Sequence, residues 1–270
     1  MRSLRSILIA AGLLAAAGTA SASEFASNWA GIAEAEVRLI AGRTPDGQDM
    51  LGMHFAMAPH WKIYWRSPGD AGFPPQPDWS GTEGVGNERI AWPIPKHFVF
   101  YGLETYGYEN EAVLPVRIER DGAARIRLNL VYAACAEICV PAEAALTLDL
   151  PGGDWPVNRH GATIADALLQ VPERPVPAPS ASAMAMPDGV VKVELQPGGA
   201  VTSPGAIFEP PAGFVLARPA CEAAAAAVRC QARILDAPGG RTLDGETLTV
   251  TLHDRGWALE TDVTVDKRAR

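Results

Sequence analysis

Four cysteines are the residues of this sequence with the clearest potential for chemistry, and two of them lie close together. Cys135 and Cys139 are separated by three residues in the stretch 132–143, YAACAEICVPAE. Residues of alternating polarity precede and follow this stretch, which predicts a β-strand on each side. If the three intervening residues form the turn of a hairpin, the cysteines become a cross-strand pair with Cα atoms about 4.5–5.5 Å apart. A disulfide could then form and break with little backbone movement.

Spacing alone leaves two roles open for this pair, a structural disulfide and an exchange-active one. A zinc site is less favoured, because two cysteines are half of a ligand set and no histidine lies nearby. We therefore predict no metal here. The other pair, Cys221 and Cys230, brackets an alanine-rich segment and is predicted to form a local structural disulfide. Such a short loop would stabilise the fold by about 2–3 kcal/mol.

A second group of residues raises the question of copper. Met50, Met53, His54, Met57 and His60 fall within eleven residues, and thioether and imidazole groups suit Cu(I). In a strand, however, Met53 and Met57 would point into the core together with Phe55, which lies between them. Core packing is the favoured interpretation, and copper handling is kept as an alternative.

The flanking sequence predicts an all-β fold around the cysteine hairpin. Short runs of alternating polarity with turn signals between them, such as Asp121-Gly122, are typical of an immunoglobulin-type sandwich. The stretches 67–87 and 93–107 are rich in Gly, Pro and aromatic residues and are predicted to be ordered loops. We predict strands at 31–43, 50–58, 60–65, 111–119 and 124–133, and a further strand that ends at Leu150.

Beyond this domain the period of apolar residues changes from two to that of a helix. Residues 157–171 are predicted to form a short helix, which Pro172 ends. The following residues are rich in Pro, Ala and Ser, which predicts an extended linker. The runs of alternating polarity after the linker predict a second, smaller β-sandwich. The predicted segments are a leader at 1–22, a first β domain at 23–155, helix and linker at 156–187, and a second β domain at 188–266.

Residues 1–22 have the pattern of a cleaved signal peptide, with Arg2 and Arg5 before an apolar stretch and Ala20-Ser21-Ala22 at its end. The apolar stretch is shorter than the roughly 20 residues that span a bilayer, so no membrane span is expected in the mature chain. Removal of the two arginines takes the net charge from −8 to −10, which argues against nucleic acid as a partner. Export to an oxidising compartment would permit two disulfides.

Several of these residues together resemble a known family. The stretch 132–143, Phe100-Tyr101-Gly102 and the strand at 113–116 are similar to the amino-terminal periplasmic domain of the disulfide reductase DsbD. The three-residue spacing of the cysteines and the segment 60–79 are more similar still to the copper-sensitivity suppressor ScsB. The resemblance covers about residues 30–150. It implies an immunoglobulin-like fold, a periplasmic location and thiol–disulfide exchange without a cofactor.

The resemblance also implies a role for individual residues. Cys139 would form mixed disulfides with partner proteins, and Cys135 would resolve them. Phe100, Tyr101 and Gly102 would lie on a cap loop that shields the disulfide from stray thiols. Two departures from DsbD are visible. Phe98 and Val99 replace the acidic pair before the cap motif, and the cysteine spacing is two residues shorter.

The expected partners follow from the same resemblance. Electrons would come from a separate membrane thiol transporter of the DsbD or CcdA type. They would pass to thioredoxin-like or isomerase proteins, including those of cytochrome c biogenesis, or to a peroxidase. We expect a monomer. The alternatives are a non-catalytic binding module with two structural disulfides and a periplasmic protein that handles copper for copper tolerance.

Overall fold

The computed structural model describes residues 25–267, so the predicted leader lies outside the described part. Within these residues, no helix has the length and apolar character needed to cross a membrane. The first domain contains ten strands: β1 (Ala30–Ile32), β2 (Ala35–Arg43), β3 (Asp49–Met57), β4 (Lys62–Gly69), β5 (Gln76–Asp78), β6 (Glu83–Ile90), β7 (Lys96–Phe100), β8 (Leu103–Glu109), β9 (Glu111–Cys135) and β10 (Cys139–Leu150).

Strand β9 organises the first domain. The strands follow the order β1-β2-β3-β9-β4-β8-β7, and β5, β6 and β10 also pair with β9. Along its second half, buried and exposed residues alternate, so that Ile126, Leu128 and Leu130 enter the core between polar neighbours. Aromatic side chains complete this core, among them Phe55, Trp65 and Tyr132. The first domain consists of β-strands, as the predicted immunoglobulin-type sandwich requires, so the all-β fold class is confirmed.

Three local predictions for this domain were wrong. The chain does not reverse at Asp121-Gly122, because β6 pairs with β9 on both sides of this point, from Val116 to Arg120 and again at Arg125, with a bulge between them. The predicted loop at 67–87 contains the end of β4, all of β5 and part of β6. The predicted irregular piece at 93–107 contains β7 and most of β8, which form a hairpin. Pairing with β9 and β4 therefore imposes strand geometry on sequences rich in glycine and proline.

One helix follows, α1 (Arg159–Leu168), within the predicted range. Asn158 caps it by accepting a hydrogen bond from the backbone N–H of Gly161 at 2.8 Å. Its apolar face packs on β2 and β3 through Ile164. The close approach to β2 depends on Gly42, where an added Cβ would lie only 2.3 Å from the Asn158 carbonyl oxygen. The helix thus closes one side of the first domain.

The buried His160 side chain at the start of α1 predicts a loss of stability in acid. Burial, aided by the charges of Arg159, Arg38 and His54, lowers the pKa of His160 to about 4. The unfolded chain binds this proton near pH 6.5, so the stabilisation is complete above that pH and is lost as the pH falls towards 4. We expect the free energy of unfolding to fall by up to about 3 kcal/mol across this interval. Urea denaturation of the wild type and His160→Gln should show a flatter pH dependence in the variant. An equal pH dependence would contradict this prediction.

The second domain is a separate sheet with its own core. Its strands are β11 (Ser180–Ala185), β12 (Val190–Gln196), β13 (Gly205–Glu209), β14 (Val215–Leu216), β15 (Ala220–Ala224), β16 (Ala227–Asp236), β17 (Thr247–Asp254) and β18 (Trp257–Lys267), with a 3-10 turn at Pro238–Gly240. Their order in the sheet is β13-β17-β18-β11-β12-β16-β14, and β15 pairs with β16. The predicted linker contains β11, so the second sheet begins earlier than the sequence indicates.

The two domains share an ionic contact and an apolar one. Arg66 of β4 donates to both carboxylate oxygens of Glu209 on β13, at 3.0 and 2.6 Å, and also pairs with Glu260 on β18. Ile207 of β13 belongs to the buried cluster of the first domain. The second domain is therefore anchored to the strand that also carries part of the site described next.

Candidate functional site

The cysteine hairpin has the geometry that its spacing predicts. Cys139 on β10 lies directly opposite Cys135 on β9, and the two form a disulfide with their Cα atoms 4.1 Å apart. The two cysteines differ in exposure, because Cys135 is 1% exposed whereas Cys139 is an exposed residue. Ile138 in the turn between them is 67% exposed. An incoming thiolate would therefore meet Cys139 first.

Strand β4 supplies one wall of the site. Its side chains alternate, so that Ile63 and Trp65 enter the main core while Lys62 and Tyr64 face the disulfide. Lys62 is the register partner of Cys135. Tyr64 packs against Cys135, and its hydroxyl oxygen lies 3.8 Å from the sulfur of Cys139. A phenolic group thus lies near the sulfur of Cys139, and a lysine lies opposite Cys135 on the neighbouring strand.

The β7–β8 hairpin, in the stretch where the sequence predicts a cap, pairs with β4 through β8 in the same sheet. Tyr101 and Gly102 both have positive φ values, 49° and 80°, as a two-residue type I′ turn requires. Tyr101 at the tip is 88% exposed. The Phe100 side chain lies outside the described part of the structure. The roles of these three residues in covering the disulfide therefore stay predictions.

Phe98 and Thr105, further down this hairpin, are the residues that reach the site. The ring centroid of Phe98 lies 4.7 Å from the Lys62 ammonium nitrogen, in cation–π geometry. That nitrogen also donates to the Thr105 hydroxyl at 3.3 Å. Lys62, Tyr64, Phe98 and Thr105 together form an enclosure beside the disulfide, which we call the aromatic enclosure.

Burial shifts the ionisation of both titratable groups in the aromatic enclosure. It lowers the pKa of Lys62, an effect that the charge of Glu109 partly opposes. It raises the pKa of Tyr64. Among the described residues, no carboxylate forms an ion pair with Lys62, since Glu109 pairs with Lys96 at 2.7 Å instead. The enclosure therefore holds a buried cation that lacks a fixed counter-charge.

The second disulfide has a different setting. Cys221 and Cys230 are register partners on β15 and β16, and they form the predicted bond. Cys230 is 5% exposed and belongs to the buried core of the second domain, with Cys221 packed against that core. Core packing is consistent with the structural role that the sequence predicts for this pair.

The methionine and histidine stretch divides between two environments. Met53 and Met57 lie in the first domain's core with Phe55. His54 points the other way, where one ring nitrogen lies 2.5 Å from Glu111 and the other receives hydrogen bonds from Arg38. No group of three or more His, Cys, Asp or Glu side chains in the described chain has the geometry of a metal site.

Sequence reasoning found the two cysteines but missed Lys62 and Tyr64 as their neighbours, and Phe98 and Thr105 as contacts of Lys62. Alternation in residues 60–65 could have placed Lys62 and Tyr64 on one face of a strand. Their proximity to the cysteines depends on the pairing of β4 with β9, between residues more than seventy positions apart. A short polarity pattern carries no information about such a pairing.

Comparison with known proteins agrees with this geometry. Residues 32–151 match the family model described as thiol:disulfide interchange protein DsbD, N-terminal, and residues 170–268 match a domain of unknown function (DUF8393). A search of the curated proteins gave no match. The crystal structure of the N-terminal periplasmic domain of ScsB from Proteus mirabilis is similar in fold, with a TM-score of 0.75 and 24% sequence identity. The similarity covers 91% of this chain and 100% of the ScsB chain.

Proposed function

We propose that this protein carries out thiol–disulfide exchange in the periplasm, because residues 32–151 match the family model of the DsbD amino-terminal domain. The pair Cys135 and Cys139 would alternate between a dithiol and a disulfide. In each cycle the pair would accept two electrons from a membrane thiol transporter and pass them to an oxidised thioredoxin-like or isomerase protein. The periplasmic location rests on the family and on the leader predicted at residues 1–22.

The observation that carries this proposal is the unequal access of the two sulfurs. Exchange requires a thiolate to reach one sulfur along an open path while the other sulfur leaves. Cys139 is exposed, whereas Cys135 is buried and packs with Tyr64 and Ala133. Cys139 is therefore the sulfur that forms the mixed disulfide, and Cys135 is the one that resolves it.

The exchange balances in both directions. During reduction, a donor thiolate attacks Cys139, the Cys135–Cys139 bond breaks, and Cys135 leaves as a thiolate. The second donor thiolate then attacks the donor sulfur of the mixed disulfide, which releases Cys139 and leaves the donor oxidised. During oxidation, the Cys139 thiolate attacks a recipient disulfide, and Cys135 then attacks Cys139 to restore the bond. Two electrons and two protons pass to the recipient.

Selective reduction is the first test of this proposal. Structural disulfides have reduction potentials below about −300 mV, whereas exchange-active ones are higher. In a graded series of dithiol buffers, we expect Cys135–Cys139 to open while Cys221–Cys230 stays closed in the folded protein. Alkylation followed by peptide mass mapping identifies which pair has opened. If both pairs resist until the chain unfolds, the protein is a binding module with structural disulfides, and the proposal fails.

A further inference from the structure

The exchange steps above give no role to Lys62, although it lies beside the disulfide. We propose that its ammonium group stabilises the thiolate form of Cys135, which makes Lys62 a positioning residue of the exchange site. This inference rests on the proposed function, because Cys135 carries a negative charge while its bond is open. Under this proposal, a residue of β4 contributes to the exchange reaction together with the two cysteines.

Lys62 lies opposite Cys135. The two residues are register partners on neighbouring strands, so their side chains leave the sheet on the same face. Lysine usually extends its charged end into water while its stem covers apolar surface. Lys62 is instead only 8% exposed, and its ammonium lies between the rings of Phe98 and Tyr64, at 4.7 and 5.7 Å from their centroids. The fold therefore holds the Lys62 ammonium group in a buried position next to the two rings.

Both directions of exchange need a negative charge on Cys135. When a donor attacks Cys139, Cys135 is the leaving group, and a leaving thiol of lower pKa leaves faster. When a mixed disulfide is resolved, Cys135 is the nucleophile and must be ionised first. Burial opposes both steps, since an apolar environment raises the pKa of a thiol. A cation at the neighbouring register position offsets that penalty.

Other charged groups around the aromatic enclosure do not supply this cation. On β8, Glu109 acts on Lys62 through its charge but pairs with Lys96 of β7. His97 of β7 pairs with Glu104 of β8 at 2.9 Å. Glu137, in the turn between the cysteines, is exposed and acidic. Among the described residues that surround Cys135, Lys62 is thus the cation without a fixed carboxylate.

A titration of Cys135 tests the inference without any partner protein. In the Cys139→Ser variant with Cys221–Cys230 intact, Cys135 is the one free thiol. Its thiolate can be followed by ultraviolet absorbance, corrected for tyrosinate. We expect a midpoint below the ordinary thiol value of about 8.5 despite burial. Adding Lys62→Met should raise this midpoint by about one to three pH units. Lys62→Arg should restore most of the shift, because it keeps the charge.

The matched control is Arg125→Met, which removes an exposed cation ten residues before Cys135 on β9 and leaves the Lys96–Glu109 pair intact, so it should leave the midpoint unchanged. A midpoint above about 8.5 while Lys62 is present would overturn the inference, even if no Lys62 variant folds. An unchanged midpoint in a folded Lys62→Met variant would overturn it too. The proposed function fails separately, if the wild type does not exchange with thioredoxin-like proteins although Cys135 titrates as expected.

Discussion

The Cys139→Ser variant is expected to lose all electron transfer to an oxidised thioredoxin-like protein. Cys139 is the exposed sulfur, so its removal leaves a thiol at Cys135 that is 1% exposed and out of reach of a partner disulfide. The Cys135→Ser variant should behave differently, because Cys139 can still attack but the mixed disulfide cannot be resolved by the hairpin partner. We expect this variant to accumulate a covalent complex, visible by non-reducing electrophoresis.

The second pair of cysteines provides the matched control for this experiment. Replacement of both Cys221 and Cys230 by Ala should leave electron transfer intact, at a cost of about 2–3 kcal/mol in the free energy of unfolding. The assay must therefore be run well below the melting temperature of that variant. If Cys139→Ser still transfers electrons at the wild-type rate, the sulfur assignment and the exchange proposal are both wrong.

The sequence predicts the hairpin well because the information for it is local. Alternating polarity on both sides of Cys135 and Cys139 specifies two strands, and three residues between the cysteines suffice for a turn. The same logic failed at Asp121-Gly122. There a turn signal lies in the middle of β9, and pairing with β6, some forty residues earlier in the chain, turns it into a bulge instead of a chain reversal. Local turn preference was overruled by pairing with a distant strand.

The surroundings of the disulfide were less predictable for a related reason. Lys62 and Phe98 come from strands that pair around β9 and β8, and such pairings follow from the whole sheet order rather than from any short pattern. The contact between Arg66 and the second domain is more distant still, since Glu260 follows it by almost two hundred residues. The sequence alone can predict that a basic residue lies on one face of a strand. It cannot state which carboxylate or sulfur lies opposite.

Replacement of Arg66 by Met is expected to lower the free energy of unfolding by about 3 kcal/mol. Arg66 lies between two carboxylates of the second domain, Glu209 and Glu260, and the Glu260 side chain is 6% exposed. Arg174 also binds Glu260, at 2.8 Å, and Thr251 donates to it at 3.2 Å. Without Arg66, Glu209 would lose its ion pair and Glu260 would keep one cation of two. Removal of one partner from a buried pair is costly because the remaining charge is left without compensation.

Chemical denaturation measures the free energy of unfolding of Arg66→Met and of a control, Arg125→Met, which removes an ion pair on the surface. Arg125 binds Asp149 at 2.6 Å, but both side chains are at least about half exposed, so its loss should cost much less than the loss of Arg66. Adding Glu209→Gln to Arg66→Met should recover part of the loss, since it removes one of the charges left unpaired. Equal losses in the two arginine variants would show that the contact between the domains contributes no more than an exposed ion pair. A larger loss for Arg66 would make β4 the strand that joins the second domain to the exchange site, because Lys62 and Tyr64 precede Arg66 on it.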